Sequence, residues 1–216
     1  MVTRTVDWVI QKAYTYAKGK AVPPISGTTK YTTLVSIIDS MQKTWSIESG
    51  VDWDSLYEFR TLTATPDGTN FVPLDADIAR VIKVEDEPIL VNGIEYIIIA
   101  PSQIRKYRFG NYVAVVGNKL KFSHALDASL TGTAVKVPIV RQVGDLISGS
   151  SIVEVDDPMW LATASAAEFD RNDVVKAANY NLLLSVAEQF MTKMKENNGG
   201  AFEAVDTPWH PEGQSW

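Results

Sequence analysis

Apolar side chains recur at intervals of three and four near both ends of the chain and at intervals of two through its middle. A period near 3.6 marks a helix with one buried face, and a period of two marks a strand. Residues 5–18 place Val6, Val9, Ile10, Ala13, Tyr14 and Ala17 on one side of a first helix, closed by Gly19. The run Val22-Pro23-Pro24-Ile25 is a stiff connector, because each proline fixes its own backbone angle and restrains the residue before it. A second helix starts from Thr28 or Thr29 as cap and ends before Ser49, with Tyr31, Leu34, Val35, Ile38, Met41 and Trp45 as its buried face. Toward the other end, Asp157 caps a helix that has Pro158 at its first position and Trp160, Ala164, Ala167 and Phe169 on one side. After the charged cluster Asp170-Arg171-Asn172-Asp173, the positions Val175, Ala178, Leu182, Val186, Phe190 and Met194 predict a long helix ending at Asn197-Asn198. An apolar stripe of that length must bury itself against other helices, so the two helical ends are expected to pack together.

Between them the turn signals multiply. Tyr57 to Thr63 reads as a strand joined through Thr65-Pro66-Asp67-Gly68 to residues 69–74 as a hairpin. Asp75 to Ala79 reads as one helical turn before a strand over 80–84. The clearest hairpin turns at Asn92-Gly93, a pair suited to the positive backbone angles of a two-residue turn. A short helix is expected over 101–108, and a further hairpin turns at Gly117-Asn118. Residues 134–140 alternate as a strand whose Pro138 implies an edge or a bulge, and Gly144 to Ser151 reads as a flexible loop. Trp53 is expected to lock the helices onto this sheet. The fold expected is therefore α+β: a helical bundle from the N- and C-terminal helices, a central antiparallel β region and an extended C-terminal tail. Its parts are 1–50, 51–155, 156–198 and 199–216. The tail has no period but keeps Phe202, Trp209 and Trp216, and with His210 it is expected to dock on a partner.

Composition then narrows the function. A chain of 216 residues with 45% hydrophobic content can build a sizeable core. No run of eighteen apolar residues and no leader-like N-terminus is present, so neither a membrane span nor a signal peptide is expected. With no cysteine, thiolate metal sites, disulfides and cysteine nucleophiles are excluded. A net charge of −6 argues against a phosphate-gripping surface. The local exception is Arg105-Lys106-Tyr107-Arg108, whose Arg105, Lys106 and Arg108 are candidates for a subunit contact or for facing DNA.

Catalytic chemistry is thinly represented. His124 and His210 are the only histidines and lie too far apart in sequence for a zinc or nucleophile-base spacing. Ser123, His124 and Asp127 can be written as a triad, but no nucleophile elbow accompanies them. The pairs Asp52/Asp54, Asp75/Asp77 and Asp156/Asp157 sit at element boundaries, where Asp caps and turns, and no calcium-loop pattern surrounds them. No enzyme activity, metal or cofactor is expected.

Two segments carry a family resemblance. Gly27-Thr28-Thr29-Lys30-Tyr31 running through Ile38 and Trp45 to Gly50-Val51-Asp52-Trp53-Asp54-Ser55-Leu56-Tyr57 is one. The other is Asp157-Pro158-Met159-Trp160-Leu161 with Ala166 to Asp173 and the helix that follows. Together they resemble the head-to-tail adaptor (connector, or head completion) proteins of tailed bacteriophages. The resemblance implies a structural virion protein forming a homo-oligomeric ring, commonly dodecameric, between the portal protein and a downstream tail or nozzle protein. DNA would be passing cargo in its channel, and no membrane would be involved. The alternative is a β-rich carbohydrate- or protein-binding module with helical flanks.

Overall fold

The computed structural model describes residues 4–19, 22–48, 51–64, 70–84, 87–107, 109–126, 132–171, 177–198 and 203–204. The chain divides into two compact units, one of residues 1–55 with 143–200 and the other of residues 56–142 with 201–216.

The first unit holds four helices. α1 (Val6–Lys18) is capped by Thr5, whose hydroxyl accepts from Trp8 N, and ends at Gly19, which adopts the left-handed conformation and donates to Thr15 O. α2 (Thr29–Ser46) is capped in the same way by Thr28. α3 (Pro158–Asp170) begins at Asp157, whose carboxylate accepts from Met159 N at 2.8 Å. α4 spans Ala177–Asn197. α3 touches all three other helices, and every residue from Trp160 to Ala167 is buried. Its alanines and Ser165 permit this, since small side chains let neighbouring helices approach on every side. Lys18 meets the wholly buried Asp170 at 2.7 Å, and Asn179 donates to the same carboxylate at 3.0 Å. Trp53 stacks on Trp45 of α2, with ring centroids 4.8 Å apart and both rings fully buried, so its established contact lies within the helical unit. A small sheet joins β1 (Arg4–Thr5) to β10 (Ile152–Val153).

The second unit is a nine-stranded sheet. Its strands are β2 (Tyr57–Thr63), β3 (Phe71–Pro73), β4 (Ile78–Lys83), β5 (Ile89–Val91), β6 (Ile94–Ile98), β7 (Tyr112–Val115), β8 (Lys119–Phe122), β9 (Ala134–Arg141) and β11 (Glu203–Ala204). The order is β11-β4-β9-β5-β6-β7-β8-β3, with β2 on the free side of β9. Because β2 also lies beside β3, the sheet curls back on itself and is nearly closed. Alternate residues fill the interior: Val135, Val137 and Ile139 from β9, Ile89 and Val91 from β5, Leu120 and Phe122 from β8.

The expected architecture, a helical bundle around a central antiparallel β region with an extended tail, is not the one adopted. The sheet is a full unit with its own core, and it is mixed, since β6 and β7 run parallel. The tail also contributes to it: β11 pairs antiparallel with β4, Glu203 opposite Lys83. The difference lies in long-range pairing. Tyr57–Thr63 is a strand as expected, but its partner is β9 over the whole length, and β3 pairs with β8 instead of closing a hairpin with β2. The turn residues 65–69 lie outside the described residues. The hairpins at Asn92-Gly93 and Gly117-Asn118 form as read, with Asn92 at φ 50° and Gly93 at φ 78°.

Pro138 is not on an edge. β9 is paired on both sides, and Pro138 falls where its neighbour changes from β5 to β4, between Lys136 and Ile139. A residue without an N–H donor is tolerated where one side of the ladder is interrupted. Residues 75–77 form a turn closed by Ile78 N to Asp75 O, with no helical turn. Residues 101–106 likewise form successive turns. The stretch 144–151 is fastened: Gln42 donates to Gly144 O, Leu146 N donates to Asp39, and Asp7 N donates to Gly149 O. Finally, α4 buries Leu183, Ala187 and Met194, while Leu182, read as core, is 63% exposed. Met194 is buried as expected and Val186 and Phe190 are half-buried, so the stripe is shifted toward Leu183 and Ala187 and only its Leu182 end turns to solvent.

Candidate functional site

The parallel pairing of β6 and β7 demands a crossover, because two strands running the same way cannot be joined by a tight turn. Residues 99–111 supply it. Ile97 N donates to Asn111 O at 2.8 Å and Ile99 N to Val113 O at 2.9 Å, fixing both feet. Between them, Gln103 N donates to Ala100 O and Lys106 N to Gln103 O. Ile104 is the anchor: it is buried with Ile99 and Ala114 in a small cluster against which Tyr112 packs. With Ile104 turned inward, Arg105 and Lys106 are exposed. The Tyr107 ring lies 4.9 Å from that of Tyr112, and Phe109 is 94% exposed. Gly110 follows at φ 110°, and a Cβ there would meet the Tyr112 ring at 2.8 Å, so only glycine fits. The chain thus builds a fastened loop that holds two cations and a phenylalanine in water.

Burying Phe109 on a partner would remove a large apolar side chain from solvent at no cost in ordering its frame. Ile97, on the adjoining strand, is also exposed, at 53%. Of the basic residues singled out in sequence, Arg105 and Lys106 are therefore brought together here, and Arg108 lies outside the described residues, as do Phe202, Trp209, His210 and Trp216. Phe109 itself was missed. Its signal was an aromatic placed directly before a glycine and after a basic run, outside any alternating strand.

The catalytic readings do not assemble among the described residues. Ser123 Oγ donates to Gly110 O at 2.7 Å and accepts from Tyr112 N, so the hydroxyl closes the base of the crossover. His124 Nδ1 lies 3.2 Å from Oγ and Nε2 lies 3.3 Å from the Tyr96 hydroxyl. With the serine proton committed to a carbonyl, the imidazole fits as a donor through Nδ1 and an acceptor through Nε2, opposite to what activates a nucleophile. Burial pushes the Tyr96 hydroxyl pKa up, which keeps that proton in place. Asp127 lies outside the described residues.

Of the acidic pairs, Asp75/Asp77 has its carboxylates in ion pairs and Asp52/Asp54 is held through its backbone. Arg60 binds Glu58 at 2.6 Å, Asp77 at 2.9 Å and Asp75 at 3.3 Å. Hydrogen bonding to Arg60 holds the Glu58 and Asp77 carboxyls below their usual range. Asn198, at the end of α4, donates to Asp52 O and accepts from Asp54 N, clamping the chain around Trp53. Asp156 stands with Asp54, Asp157 and Lys193 around an open cleft of about 580 Å³ in the helical unit. Burial raises its pKa, opposed by a hydrogen bond from Ser55 and reinforced by the nearby Asp54 charge. Among the described residues no group of three or more His, Cys, Asp or Glu side chains is arranged to hold a metal ion, and no helix is long and apolar enough to cross a membrane.

A second surface belongs to the helical unit. α2, α3 and α4 border a groove of about 380 Å³ lined by Met41, Trp160, Ala164, Leu184, Ala187 and Met191. Glu48, Glu168, Glu188 and Lys195 also line it. Compared with known proteins, the chain matches no family model and no curated protein.

Proposed function

We propose that this chain is a head-to-tail adaptor of a tailed bacteriophage, a structural protein that assembles as a ring between the portal protein and a downstream tail or nozzle protein. The observation that carries the reading is apolar side chains presented to solvent from fastened frames on both units. Phe109 stands out from the crossover of the sheet, and Ile147, 84% exposed, stands out from the stretch tied to α1 and α2. Near Phe109 the exposed Tyr107 and Ile97 both adjoin Tyr112, and apolar side chains grouped in this way serve contacts with other proteins. Two different apolar surfaces on one chain suit the head-to-tail contacts from which rings are built. The resemblance of residues 27–57 and 157–173 to adaptor sequences supplies the kind of ring. A net charge of −6, repeated around a channel, repels phosphates and lets DNA slide through as cargo. In this reading the protein works in the virion at the head-tail junction.

The test is assembly. The purified chain, alone and mixed with the portal protein of its own virion, is followed by mass photometry and negative-stain imaging. Rings seated on portals support the proposal, and a stable closed dimer at every concentration with no portal binding refutes it. The exposed Tyr107 and Phe109 would also serve a binding module as a ligand platform. Phe109→Ala separates the readings. The adaptor loses ring assembly on portals with its fold intact, whereas the module keeps its oligomeric state and loses glycan or protein binding.

A further inference from the structure

The helical unit has a hollow apolar groove, and the crossover loop of the sheet unit holds an apolar ring in solvent. Alanines at 164 and 187 leave the groove hollow where larger side chains would fill it. Its border keeps one uncompensated negative charge: Glu48 is paired with Lys195 at 2.6 Å and Glu168 with Arg171 at 3.2 Å, while Glu188 has no ion pair among the described residues. The crossover offers the converse, an aromatic ring 94% exposed beside Arg105 and Lys106, with no acidic residue anywhere in 101–112. The chain's own tail is a poorer occupant despite its aromatics. Residues 199–216 carry Glu203, Asp206 and Glu212 and no Lys or Arg, so that border would repel them.

Building on the ring assembly proposed above, we infer that neighbouring copies are joined by this pair of surfaces. Phe109 of one copy enters the α2–α3–α4 groove of the next, and Arg105 and Lys106 face Glu188 and Glu168. The loop and the groove are distinct patches, so the contact is head-to-tail and each copy has one of each to offer. Such a contact propagates, closing into a ring or extending as a filament, and does not stop at a dimer.

The absence of native cysteine makes the test clean. Two singly substituted proteins that keep Phe109, Tyr107→Cys and Leu184→Cys, are checked for folding by circular dichroism, mixed at high concentration with and without portal, and oxidised. A disulfide forms only when the two Cα atoms come within about 7 Å, so a mixed adduct about tenfold more abundant than that between Tyr107→Cys and the reference Ile25→Cys, exposed and outside every surface proposed for assembly, is expected. Glu188→Lys is expected to weaken association about tenfold, and mixing it with Lys106→Glu to recover most of the loss. The inference is overturned if the mixed adduct is no more abundant than the reference. It is also overturned if the bridge forms only within single chains carrying both cysteines. Rings on portals without the adduct would sink this contact and leave the ring assembly standing; neither rings nor adduct would sink both.

Discussion

Replacing Trp53 tests the helical unit at its most buried point. Both Trp53 and Trp45 are fully buried, their rings stack at 24° with centroids 4.8 Å apart, and the Trp53 indole N–H donates to Trp45 O at 2.7 Å. Truncating a fully buried tryptophan to alanine costs about 3–5 kcal/mol in lost transfer free energy and cavity. The stacked partner and the hydrogen bond place Trp53→Ala at the upper end, about 4–5 kcal/mol. For a chain of this length each kcal/mol lowers the melting temperature by about 2–4 °C, so the melting temperature of the chain should fall by roughly 8–20 °C. Trp53→Phe isolates the hydrogen bond. Trp45 O also accepts from Glu48 N at 3.1 Å, so the carbonyl keeps a partner, and the bond's removal should add only about 1 kcal/mol to the loss of ring area. Trp45→Phe is the control, because the Trp45 indole N–H has no hydrogen-bond partner among the described residues. Calorimetry and urea unfolding followed by far-ultraviolet circular dichroism measure all three. If Trp53→Ala loses less than about 2 kcal/mol, or if Trp45→Phe costs more than Trp53→Phe, the stacked and bonded pair is not what holds this region.

The phase of α4 is checked by a pair of truncations: Leu183→Ala should cost about 2–4 kcal/mol in urea unfolding and Leu182→Ala about 0.5 or less, and the reverse order would restore the stripe read from sequence. Gln42 is fully buried and serves two backbone groups, donating to Gly144 O at 3.2 Å and accepting from Glu154 N at 2.8 Å. Gln42→Leu orphans both and should destabilise by about 2–4 kcal/mol, whereas an effect near zero would show that the 143–154 stretch does not depend on it. Asp156 has its folded-state pKa raised by burial, so the folded protein holds its proton more tightly than the unfolded chain. Stability from this group is therefore greatest below its unfolded pKa of about 4 and declines as pH rises through the raised folded value. Asp156→Asn should accordingly gain on the parent protein across that rise in thermal melts, and a parallel pair of pH profiles would contradict the assignment.

What the sequence carried locally, the structure realised. Thr28, Asp157 and Pro158 set the helix starts because a cap acts on amides two or three residues away, and Asn92-Gly93 turns because its two backbone angles are its own affair. Pairing across distance was not legible. β2 looked ready to fold onto the strand beyond the next turn, yet its partner is β9, more than seventy residues on, and nothing in Tyr57–Thr63 names it. Pro138 misled for the same reason, since its tolerance depends on a change of neighbour between two other strands. Leu182 misled because Leu182, Leu183 and Leu184 are consecutive, so hydrophobicity cannot set the phase and the packing of α3 does. At the candidate site, the basic run at 105–108 was visible, but the exposure of Phe109 followed from the parallel β6–β7 pairing.

The helical unit is drawn from two stretches, 1–55 and 143–200, separated by most of the sheet. On a ribosome adding about 5–20 residues per second, the opening helices wait roughly 7–30 s for the residues that complete them. Residues 56–142 emerge as one uninterrupted length and can find their partners meanwhile, apart from the late-arriving β11. During that interval Ala13 and Ala17 of α1 lack Ala166 and Ala167 of α3, against which they are buried. The nascent chain is then a client for holding chaperones, and its yield should depend on translation speed through the middle of the message.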